Sequence, residues 1–107
     1  MNIDQTRFLR LVAKTSGTAA SITTSSQVFI NQMQEGDEQL IHHAKAALQL
    51  AYEAMRLVNE SADWNGRSEN GEYPHAKIMA TGFLELAHVA IRLAEEQLDR
   101  ALADEPS

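Results

Sequence analysis

The chain has no cysteine. That excludes disulfides, thiolate zinc sites and a cysteine nucleophile, and it suits a reducing cytosol. No apolar stretch approaches the length needed to cross a bilayer. The N-terminus lacks an apolar segment followed by a small-residue cleavage site, so no secretory signal is expected. No Gly-x-Ser-x-Gly elbow, phosphate-binding loop, dinucleotide glycine fingerprint or His-Glu-x-x-His motif is present, which argues against the common enzyme classes. Excess positive charge is missing too: the formal net charge is −6. Nucleic-acid backbones are bound mainly through Lys and Arg, so free nucleic acid is not an expected partner. A cytoplasmic protein without a membrane partner is the expectation.

Small residues at helical spacing are abundant. Ala44, Ala47, Ala51 and Ala54 form one ladder, and Ala76, Ala80, Ala87, Ala90, Ala94 and Ala101 form a second, with Phe83 filling one slot. Small side chains at steps of three and four let two helix backbones approach closely. Between the ladders lies a polar stretch from Ser61 to Pro74. The pattern predicts an antiparallel helical hairpin with long helices over 37–61 and 75–103. Gly36 and Asp37 mark the start of the first, and Pro74 sits where a first-turn proline is tolerated.

The N-terminal 34 residues read differently. Residues 3–14 predict a short amphipathic helix, with Phe8, Leu11 and Val12 on one stripe and Arg7, Arg10 and Lys14 on another. Asn2 is its candidate N-cap and Gly17 its natural stop. Residues 15–26 hold eight Ser or Thr, which weaken helices by competing for backbone hydrogen bonds. They read as a linker or as the soft start of a second helix near 20–34, where Ile22, Phe29 and Met33 share a face.

The fold class is therefore all-α: an Ala-seamed hairpin with one or two short N-terminal helices, in a single domain over 1–107. The apolar arcs of both long helices are wider than one helix contact covers. Large exposed apolar patches mark interfaces, so self-association into a helical bundle, as a dimer or larger, is expected. Charge is split, with Arg7, Arg10 and Lys14 against Asp4 in residues 1–34, and six basic against fourteen acidic residues in 35–107.

Candidate functional residues are few. Arg7, Arg10 and Lys14 form a basic stripe. Trp64, Arg67 and Tyr73 fall in the predicted turn, a place where partner or ligand recognition is common. Arg92 is a further cation. No catalytic constellation and no cofactor motif stands out. Glu85-Leu86-Ala87-His88 is a Glu-x-x-His step, and a turn near residue 68 would put Glu85 roughly across from residue 51. With Glu53, Glu85 and His88, a dimer of hairpins would resemble a small ferritin-like di-iron protein. The alternative is that all three lie on the solvated stripe, with no metal. Trp64-Asn65-Gly66 resembles the Trp-x-Gly tripeptide that joins the two helices in a family of secreted helical hairpins. The residues themselves equally suit a Trp that closes the hairpin end and a Gly that permits the turn.

Composition points to a small acidic helical protein that binds and modulates a macromolecular partner, as an inhibitor, chaperone or adaptor does. Two alternatives remain at this stage. One is an oligomeric sponge for a small anionic or nucleotide ligand held by Arg67, Arg92 or the basic stripe. The other is the di-iron hairpin.

Overall fold

A computed structural model describes residues 3–34, 36–71 and 73–103. The described residues form three α-helices: α1 Ile3–Gln32, α2 Glu38–Glu69 and α3 Ala76–Ala103. They pack as a narrow rod of 54 × 20 × 17 Å with a radius of gyration of 16.6 Å. A compact domain of this length has a radius near 13 Å. The accessible surface is 6949 Å², against roughly 6,000 Å² for a typical monomer of this mass. The rod leaves more surface to solvent than its mass requires. No helix among the described residues is long and apolar enough to cross a membrane.

The hairpin of α2 and α3 is the main contact, as the ladders predict. Ala44, Ala47, Ala51 and Ala54 are buried, and so are Ala76, Ala80, Ala87, Ala90, Ala94 and Ala101. On α2 the buried row continues through Val58, Ser61 and Asn65 at the same spacing. Two hydrogen bonds set the register. Ser61 Oγ donates to Ala80 O at 2.6 Å, and His43 Nδ1 meets Gln97 Oε1 at 2.9 Å. Extending that register places Ala54 across from Ala87 and Ala51 across from Ala90, within one core cluster that also holds Leu57, Val58 and Ile91.

Three sequence expectations are corrected here. First, α2 does not end near residue 61 but runs two turns further, to Glu69. Ser61 and Asn65 are polar yet occupy the buried row, so the helix continues through them. Gly71, at φ 70°, makes the actual exit, with its N–H donating to Ser68 O. A left-handed residue just past a helix is where glycine is most favoured. α3 starts within one residue of the expected position, so Pro74 precedes it, and His75 supplies the carbonyl that accepts the Met79 N–H.

Second, Trp64-Asn65-Gly66 lies within α2 and not between the two helices. The Trp-x-Gly resemblance therefore loses its structural premise. Third, the N-terminal region is one helix of 30 residues rather than one or two short ones. Gly17 does not stop it. Within the Ser/Thr segment three hydroxyls bond carbonyls one turn back, Thr15 to Leu11, Thr18 to Lys14 and Thr23 to Ala19, which occupies them without breaking the backbone ladder. One row also runs unbroken through the segment: Val12, Thr15, Ala19, Ile22, Ser26, Phe29 and Met33 are buried or half-buried. Phe8 and Val12 belong to it, whereas Leu11 is exposed.

Between α1 and α2, Gly36 at φ 104° reverses the chain, and the Asp37 carboxylate accepts the Gln34 N–H. Asp37 stands at the N-cap of α2 without bonding that helix through its side chain. The expected N-cap Asn2 falls outside the described residues. α1 lies mainly on α2 and only marginally on α3.

Candidate interaction surfaces

The sequence candidates separate into one cluster and several isolated residues. Trp64 and Arg67 are three residues apart on α2 and so share a face. The chain then returns after the turn and lays Tyr73 beside them. The Trp64 and Tyr73 rings meet edge to face at 5.6 Å. The Arg67 guanidinium lies 4.6 Å from the Trp64 ring centre and 5.6 Å from that of Tyr73. Arg67 also reaches Asp63 at 3.1 Å. The cation is thus engaged on both sides, by two rings and a carboxylate, and the stack staples the turn to the end of α2.

Arg7, Arg10 and Lys14 are exposed along α1, and Arg92 is exposed on α3. They do not join the Trp64 stack. Lys14 lines a shallow groove between α1 and α3 together with Thr18, His88 and Glu95. Across that groove the Thr15 hydroxyl gives its single proton to Leu11 O at 2.7 Å. His88 Nε2, 2.8 Å from the same oxygen, is therefore the donor of the second bond. This is a direct polar link between α1 and α3.

The three residues of the metal alternative are engaged separately or exposed. Glu53 bonds Arg56 one turn on. The guanidinium hydrogen bond holds the Glu53 carboxyl below its usual range, and the same contact raises Arg56. His88 turns to Thr15. The Ser61–Ala80 register sets Glu85 level with Arg56, not with residue 51, because the turn lies later than the sequence suggests. Among the described residues no group of three His, Asp or Glu side chains is placed to share a metal ion.

The most extensive feature is a row that residue-by-residue motif reading overlooked. On α3, Met79, Gly82, Leu86, Val89 and Leu93 recur at steps of three and four. Ile78, Leu86, Val89 and Leu93 are 70%, 54%, 48% and 44% exposed. An open apolar groove runs over Ile78, Met79, Gly82, Phe83 and Leu86. His88, Ile91 and Glu95, which line the α1 side, occupy other positions around the helix, so the row faces away from α1. Its period is legible in the sequence, but only after the inner row has been subtracted from the wide apolar arc.

Comparison with known protein families, with characterised proteins and with solved structures returns no match.

Proposed function

We propose that this chain is a non-catalytic interaction protein of the cytoplasm, a helical rod that assembles with itself and binds and modulates another macromolecule. One observation carries the reading: the exposed apolar row on α3. Four large side chains on one helix face, each 44% or more exposed, form a contiguous patch of the kind that marks a contact surface. The surplus surface of the rod points the same way. Inhibition and chaperoning of a partner protein are the modes that suit such a face, because a helix row docks readily against another helix or groove. The acidic balance of residues 35–107 favours a partner with a basic rim around its apolar contact.

Native mass spectrometry of the chain purified from cells tests this reading. The expected spectrum shows masses at multiples of 11.9 kDa, or one chain with a protein partner. A monomer that carries only a stoichiometric small molecule or metal would overturn it.

A further inference from the structure

We infer that the outer row of α3 is the site of a two-fold antiparallel dimer, in which α3 of one copy packs against α3 of a second. The inference rests on the reading of this row as a contact surface and names its occupant. The row has the alternating three-four spacing of a coiled-coil seam. Place two such helices antiparallel, with Leu86 of one across from Val89 of the other. The remaining layers then fall into line. Gly82 of each copy faces Leu93 of the other, and Met79 meets Glu96 at the rim.

Two complementarities select this register. The first is volume. Gly82 carries no side chain between Met79 and Leu86, and the space over its Cα is open. The groove around it is apolar and open. The large Leu93 side chain of the second copy fills that space as a knob fills a hole. The second is charge. The residues that flank the seam on one side are Ile78, Glu85, Arg92 and Asp99. Antiparallel packing brings like flanks together, so Glu85 of each copy lies beside Arg92 of the other. Symmetry makes the pair twice. Both side chains are exposed, and neither forms an ion pair among the described residues.

Parallel packing satisfies neither condition. It sets Gly82 against Gly82 and leaves a gap. It also places Glu85 beside Ala90 and Arg92 beside Gln97, so both charges go unmatched. A free-standing occupant of different sequence has no reason to carry this self-complementary pattern on the surface of the chain.

The test uses full-length chains and their lack of cysteine. Glu85→Cys and Arg92→Cys variants each carry one thiol. They are incubated singly and as an equal mixture, with a short bis-maleimide linker. The mixture is expected to give a cross-linked dimer, and each variant alone little or none. Sedimentation equilibrium reads the strength of the contact. Glu85→Arg should raise the dimer dissociation constant by roughly tenfold or more, since it opposes like charges twice. The double variant Glu85→Arg/Arg92→Glu should return it to within about threefold of wild type. Self-linking of Glu85→Cys as efficient as in the mixture would overturn the antiparallel register, while the row would stand as a contact surface. A wild-type chain that stays monomeric at tens of micromolar would overturn the dimer. The broader reading falls as well if, in addition, Leu86→Glu changes no complex seen by native mass spectrometry of protein taken from cells.

Discussion

α3 carries two rows of the same period and opposite character. The inner row, Ala76 to Ala101, is mostly alanine, and its alanines are buried, chiefly in the seam with α2. The outer row, Met79 to Leu93, holds larger apolar side chains and lies open. The difference shows what each row is for. A buried alanine withdraws one methyl from water, about 0.8 kcal/mol, where a buried leucine withdraws enough for about 1.5–3 kcal/mol. The inner row therefore contributes close backbone approach more than hydrophobic free energy. Much of the hydrophobic free energy available to α3 lies on the face that the folded chain leaves unused. α3 does bury Leu84 and Ile91, but a helix built to fold alone would not leave Leu86, Val89 and Leu93 in the open as well.

That comparison can be broken most easily at the inner row. Ala51→Leu or Ala87→Leu forces a branched side chain into a seam with no spare space. Each should destabilise the chain by about 1–3 kcal/mol, read as a lower urea midpoint. Melting at the wild-type midpoint would mean that the seam is not closely packed. Ser61→Ala probes the same seam more gently. It removes the bond to Ala80 O but leaves that carbonyl its helical partner, so the cost should be about 1 kcal/mol.

Two substitutions in α1 sharpen the contrast by leaving both rows untouched. Gly17 is exposed, mid-helix and clear of any neighbour within 4 Å. Gly17→Ala should raise stability by roughly 0.5–1 kcal/mol. A loss on thermal melting would show that α1 breaks there after all. Ser26 is fully buried, and its hydroxyl has no hydrogen-bond partner among the described residues. Ser26→Ala removes a desolvated polar group, so a small gain, up to about 1 kcal/mol, is expected by equilibrium unfolding. The opposite signs at Ser26 and Ser61 follow from one difference, the presence of an acceptor.

How legible was this in the amino-acid sequence? The hairpin is legible because alanine at steps of three and four has few other uses, and every ladder alanine is buried, with Phe83 half-buried in its slot. The end of α2 is not, because Ser61 and Asn65 look like turn residues. Only a partner helix shows that they occupy a seam. The continuity of α1 is hidden for a similar reason. Its row passes through Thr15, Ala19 and Ser26, residues too small or too polar to register as core. Among the candidate site residues, Trp64, Arg67 and Tyr73 do come together, although in the last turns of α2 and the start of the following loop. Arg7, Arg10, Lys14 and Arg92 stay apart, since stripes on separate helices meet only where packing brings them. The outer row of α3 is visible as part of a wide apolar arc, but the division of that arc into a covered half and an open half depends on where α2 lies.

The central claim is that the inner row folds the chain and the outer row recruits a second body. Sedimentation velocity of wild type and Leu86→Glu, run side by side with circular dichroism on the same samples, tests it directly. The wild-type chain should sediment as a dimer or larger. Leu86→Glu should sediment as a smaller species with its helical signal retained. A Leu86→Glu chain that keeps the wild-type assembly, or that loses its helices, would contradict the claim.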